Sequence, residues 1–172
     1  CHEPRQDGPR PLLPAMLARE PQDLVPPEWG VRGFCYATLV QPVLDKHCFV
    51  CHNPHKAVPP DLSGDRTDCF NVSYETLADV GQGRTGSPYV NWIPTYNEHE
   101  WNIREVTPKQ WGSHQSKLAE LVLAGHPDKD GKPQISLSEA ERRRILMWID
   151  LNVPYYGTAD TAHPGLPGCR QL

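Results

Sequence analysis

The sequence predicts a mostly α-helical domain with long irregular loops, and three observations predict it. Apolar residues recur at helical spacing in several short segments, two of them with recognisable start and stop signals. Nineteen prolines and an apolar share of 38% in 172 residues leave little material for a core built from the chain alone. Finally, Cys48-Phe49-Val50-Cys51-His52 has the pattern that attaches a large apolar group, a c-type haem, which would complete such a core.

Residues 1–33 read as an extended arm or linker. Pro4, Pro9, Pro11, Pro14, Pro21, Pro26 and Pro27 each fix φ and remove a backbone donor, which leaves room for one helical turn near Ala15–Arg19. Residues 34–158 form the domain. Its first helix is expected over Cys35–His47, with Leu39, Val43 and Leu44 on one face, and with Pro42 either kinking it or starting it. Residues 53–70 carry Pro54, Pro59, Pro60 and Gly64 and read as a loop. A short helix follows from Ser73, ahead of Leu77 and Val80. Residues 81–112 read as an ordered loop that turns Trp92, Tyr96, Trp101 and Trp111 inward.

A second good helix is expected over Ser113–Ala124, capped by Ser113 and stopped by Gly125. The last begins at the capping box Ser138-x-x-Glu141 and carries Ile145, Trp148, Ile149 and Asn152 on one stripe until Pro154. Residues 159–172 read as an irregular tail.

The net charge of −4 and the lack of a basic stripe argue against a nucleic-acid partner. No segment approaches the roughly 18 uninterrupted apolar residues that span a bilayer, so no membrane span is expected. The chain opens on Cys1-His2. That pair reads as a processed lipoprotein cysteine, as the end of another CxxCH begun upstream, or as an arbitrary boundary. Cys35, Cys69 and Cys169 are open to disulfides, whose pairing spacing cannot choose. Bridges would suit a Pro-rich domain in an oxidising compartment.

Cys48 and Cys51 lie three residues apart, so on a helical turn both sulfurs face one side, where they can form thioethers to one porphyrin edge. His52 then sets an imidazole beneath the iron as proximal ligand. A thioredoxin-like redox pair is disfavoured, since no βαβ unit surrounds the motif. A zinc-stapled structural module using Cys48 and Cys51 with His47, His52 or His55 is the competing account, and it lacks a second ligand pair at set spacing.

The distal iron ligand is open. Met16 lies in the arm, and Met147 reads as core filler or a partly exposed side chain beside Trp148, not as a ligand. His126, on the turn after Gly125, is the leading candidate, with His114 as its competitor. Two imidazoles suit electron transfer, whereas an open face would permit catalysis. The segment PDKDGKP fails as an EF-hand, because His126 and Leu137 would fall where carboxylates are required.

The blocks VQPVLDKHCFVCHN, DLSGDRTDCFNVSYETL, GSHQSKLAELVLAGH and LSEAERRRILMWIDLNVPYYG together cover much of residues 24–158. In this order they resemble the C-terminal cytochrome c domain of planctomycete-type multihaem proteins related to the hydrazine synthase alpha subunit. The resemblance implies a cytochrome c-like fold with haem clamped between the first and last helices. It also implies bis-histidine ligation through His52 and His126, the latter standing where related domains carry a methionine-containing turn. It would make Cys1-His2 the remainder of an upstream haem site. Cys35, Cys69 and Cys169 depart from the pattern, and hydrazine synthesis is not carried over, since that chemistry belongs to other portions.

The expected function is therefore electron transfer through one six-coordinate haem c, periplasmic or extracellular, beside a redox partner protein or other haem subunits of a multihaem oxidoreductase. The chain reads as a relay or subunit more than as an enzyme by itself. A catalytic haem domain with an open coordination site and the zinc module are the alternatives.

Overall fold

The structure, a computed structural model, describes residues 20–21, 23–56, 58–78, 89–91, 109 and 111–158. Cys1, His2, the expected turn at 15–19 with Met16, Val80, Trp92, Tyr96, Trp101, Cys169 and the tail 159–172 lie outside these residues. The chain falls into two compact units, residues 1–30 and 31–172. In the first, the Gly30 amide donates to Pro27 O and closes a turn.

The second unit is helical. It holds α1 (Tyr36–Leu39), α2 (Gln41–His47), α3 (Val72–Ala78), a 3-10 turn at Gly112–His114, α4 (Lys117–Leu123) and α5 (Glu139–Asp150). No strand forms among the described residues, only two isolated bridges, Arg66 with Asn71 and Pro127 with Pro133.

The helix expected over 35–47 is two helices. Pro42 lies in the first turn of α2, where its missing donor costs nothing because that amide would have no intrahelical acceptor. Both pieces bury one face, through Tyr36, Leu39, Val43 and Leu44.

Two expected caps move by a few residues. At α3 the cap is Asn71, whose side-chain oxygen accepts from the Tyr74 amide at 3.0 Å, while Ser73 is buried inside the helix. At α4 the cap is Ser116, which accepts from the Ala119 amide. Ser113 instead binds the Asp150 carboxylate at the far end of α5. Position-specific chain entry decided both cases, since Ser and Asn cap equally well. The α5 capping box forms with both of its bonds. Beyond Asp150 the chain leaves the helix, and Asn152 and Val153 take positive φ of 65° and 50°. Asn152 therefore ends the helix outside its stripe.

The core centres on Trp148, Tyr36, Leu39, Leu44, Ile145 and Ile149, all essentially inaccessible. Each such side chain contributes about 1.5–3 kcal/mol by burial. Tyr36 packs against Trp148, Tyr74 and Tyr155 at ring-centre distances of 4.9, 5.1 and 5.8 Å. Burial pushes the Tyr36 and Tyr74 hydroxyls up, and Tyr155 up to about 12, so all three stay neutral. Tyr74 donates to Val153 O at 2.7 Å, and Trp148 Nε1 donates to Pro154 O at 3.0 Å. These bonds fasten the segment after α5 back over α3 and α5.

Beneath α1 lies a buried polar network. Gln41 Nε2 donates to Asp45 Oδ1 (2.7 Å) and Leu62 O (3.2 Å), and Gln41 Oε1 accepts from Asn71 Nδ2 at 3.1 Å. Ser73 Oγ joins the network next to the Tyr36 hydroxyl, 3.0 Å away. Full satisfaction is what makes a buried amide tolerable.

The domain's two ends cross. Tyr36 N donates to Tyr155 O at 2.9 Å, and a Cβ on Gly33 would stand 1.6 Å from Gly157 O. Only glycine allows backbones to pass so closely.

Candidate functional site

The α2 helix ends in the attachment motif. Cys48 N and Phe49 N still donate to Leu44 O, and the amides of Cys51 and His52 both donate to Cys48 O, at 3.1 and 2.9 Å. Residues 48–52 thus make one more helix-like turn. Cys48 is half-buried and Cys51 exposed, and both are free thiols. The outer side of this turn is tied down by Asn53, whose Nδ2 donates to Phe49 O at 2.8 Å, and by Lys56, which donates to Val50 O.

Burial pushes the Cys48 thiol up to about 11, with the neighbouring Cys51 adding to the rise. A thiol so raised is a poor thiolate nucleophile at neutral pH, which disfavours dithiol redox chemistry. The zinc account fares no better. Among the described residues, which include Cys48, Cys51, His47, His52 and His55, no three His, Cys, Asp or Glu side chains converge on a point. Structural zinc takes four.

His52 has its ring fixed on one side. Nδ1 lies 3.1 Å from Pro60 O, a carbonyl that can only accept, so Nδ1 donates, and the neutral tautomer with that proton has its lone pair on Nε2. The loop after the motif returns to make this contact, and Leu62 N donates to His52 O at 3.0 Å. A hydrogen bond from the second nitrogen is the arrangement that orients metal-binding imidazoles. Sequence reasoning saw only a Pro-rich loop here and missed Pro60.

His126 comes to the same place from the far end of α4. Its ring centre is 6.0 Å from that of His52, with the planes at 51°. His114 does not approach: it lies exposed on the 3-10 turn. The α4 helix ends in a full Schellman motif, in which His126 N donates to Leu121 O (2.6 Å) and Gly125 N to Val122 O (3.4 Å). Gly125 has φ +74° and His126 φ +50°.

The two rings lie close enough for both to reach one metal ion. With a metal–nitrogen bond of about 2 Å and about 1 Å from nitrogen to ring centre, two imidazoles bound to one metal would have ring centres up to about 6 Å apart. The observed spacing matches. Both rings are half-buried, and two buried donors, Ser63 Oγ and Trp111 Nε1, find no hydrogen-bond partner among the described residues.

The motif is also tied to the last helix. Glu141 accepts from Lys46 Nζ at 2.7 Å and contacts His47 Nε2 at 3.1 Å, while its other oxygen completes the capping box with Ser138. The Lys46 ammonium, then the Ser138 amide and the His47 ring, hold the Glu141 carboxyl well below the usual carboxylate range. From the sequence Glu141 was only a capping residue. A group whose folded pKa is depressed adds stability above its unfolded pKa and loses it as pH falls. Glu141→Gln keeps a capping side chain and removes the charge. Its urea midpoint should therefore drop less between pH 7 and pH 3 than the parent's, and an equal drop would show that Glu141 carries none of the acid sensitivity.

The remaining cysteines separate. Cys69 is disulfide-bonded, to a partner outside the described residues. Cys35, which spacing left open to a bridge, is a buried free thiol against Gly157. Met147 is partly exposed on α5. In the PDKDGKP turn the Asp128 carboxylate accepts from the amides of Asp130 and Lys132, each at 2.9 Å. No described helix is long and apolar enough to cross a membrane.

The chain matches no protein-family model, no curated protein and no solved structure.

Proposed function

We propose that residues 34–158 bind one haem c and relay electrons outside the cytoplasm, as one station of a larger multihaem oxidoreductase. The observation that carries this reading is the pair His52 and His126, 6.0 Å apart beside the Cys48–Cys51 turn. When bound, the haem supplies one-electron exchange at its iron.

The chain's residues supply the rest. Cys48 and Cys51 would hold the porphyrin edge by thioethers. His52, with Nδ1 held by Pro60 O, would bind the iron through Nε2. His126 would be the second ligand, and an iron so held would leave no position for a substrate, which suits a relay better than a catalyst. The Cys69 disulfide supports an oxidising compartment. The same reading sets the domain beside the C-terminal cytochrome c domains of multihaem proteins related to the hydrazine synthase alpha subunit, with other haem subunits or a redox protein as partner.

The test is the intact mass of the full chain, produced in a host competent for cytochrome maturation and measured under denaturing conditions. It should exceed the polypeptide mass by one haem, and by none after Cys48→Ser with Cys51→Ser. A colourless parent with bare polypeptide mass would refute the proposal. A zinc-containing, colourless preparation would establish the structural module, and rapid carbon monoxide binding by the reduced parent would point to an open catalytic iron.

A further inference from the structure

The conformation of His126 is opposed by two intrinsic preferences. Its φ of +50° is in the left-handed region that side chains disfavour. The next residue, Pro127, pushes its predecessor toward extended backbone. A residue held against both preferences is kept there by its surroundings.

Those surroundings are a small closed loop. On the α4 side, the Schellman bonds to Leu121 and Val122 set the start of the turn. On the far side, Gln134 N and Ile135 N both donate to Gly125 O, at 2.9 and 3.1 Å. The closure is tight, since a Cβ on Gly125 would lie 2.9 Å from both Ile135 O and Pro133 Cβ. Between these ends, residues 127–133 gather around one carboxylate. Asp128 Oδ1 accepts from Asp130 N and Lys132 N at 2.9 Å each, and Oδ2 accepts from Gln134 Nε2 at 3.2 Å. The Asp128 backbone adds two bonds, its N donating to Lys132 O and its O accepting from Gly131 N.

We propose that Asp128 is a positioning residue for the distal ligand: its carboxylate clamps the 127–134 turn shut and thereby keeps His126 in the strained conformation from which it faces His52. The proposal rests on the haem reading above. Asp128 itself does not touch the iron. Its effect is on how readily His126 leaves, and hence on how closed the distal face stays.

The experiment measures carbon monoxide binding to the reduced, haem-loaded full chain, since carbon monoxide enters only when the distal ligand departs. Four proteins are compared: the parent, Asp128→Ala, Asp128→Asn and His126→Ala. Asparagine keeps the Oδ1 acceptor for Asp130 and Lys132 and loses only the Gln134 bond.

Carbon monoxide binding should be about tenfold faster in Asp128→Ala, as expected from losing two or three hydrogen bonds, and close to the parent's in Asp128→Asn. His126→Ala should be fastest. Far-UV circular dichroism of each variant checks that α4 and α5 persist. A parent-like rate in Asp128→Ala beside an opened His126→Ala overturns the positioning role alone. Equal acceleration in Asp128→Ala and Asp128→Asn overturns it as well, because the acceptor geometry would then not matter. An unchanged spectrum in His126→Ala overturns the ligand reading, and this proposal with it.

Discussion

Replacing His126 with alanine should convert the ferric haem from a low-spin to a high-spin spectrum, the largest spectroscopic change that any single substitution in this chain would bring. A six-coordinate iron between two imidazoles has a strong ligand field on both faces, and removal of one leaves water or nothing in its place. His114 is exposed on the 3-10 turn, and His47 is engaged with Glu141. Exogenous imidazole should restore the low-spin spectrum by filling the space left by the side chain. The covalent haem content should not change, because Cys48, Cys51 and His52 are untouched. A low-spin spectrum that persists without added imidazole would exclude His126 as a ligand and leave the 6.0 Å approach of the two rings without a role.

Trp148→Ala should be the most destabilising core substitution, at about 3–5 kcal/mol, as for other buried Trp or Phe truncations. Trp148 is fully inaccessible. It meets Tyr36 on α1 and Tyr74 on α3 at ring-centre distances of 4.9 and 6.0 Å, so one truncation opens a cavity where three helices meet. It also removes the bond to Pro154 O, which leaves a part-buried carbonyl short of a donor while the returning segment loses an anchor. The melting temperature should fall by roughly 10 °C or more, with the haem still attached. Trp148→Phe keeps most of the buried area and should cost far less. A loss below about 1 kcal/mol for the alanine variant would mean that the cavity collapses around the missing ring.

Local rules made much of the domain legible. The capping box at Ser138 and Glu141, the Gly125 stop and the place of Pro42 at a helix start all depend on a few neighbouring residues, and all appear in the structure. Where several neighbouring side chains had the same local competence, the sequence could not choose between them. Ser113 and Ser116 are both suited to cap a helix, and the Asp150 carboxylate, contributed by α5, engages Ser113 and leaves the cap to Ser116. At the first helix the sequence left a kink or a start at Pro42 open, and the structure has two helices that meet at Val40.

The Cys48–His52 pattern on which the haem proposal stands is legible in five consecutive residues, because the chemistry it implies needs only a single turn of backbone. The meeting of His126 with His52, and the choice against His114, could not be read this way. They depend on where a loop stapled to α4 comes to rest against a loop that returns to Pro60, and the two rings that meet there belong to residues far apart in the chain. The pairing of Glu141 with Lys46 and His47, and the closed network of Gln41, Asn71 and Ser73, belong to the same class. Spacing along a chain conveys direction over one turn of helix, but distance across a core emerges only when all of its helices have packed.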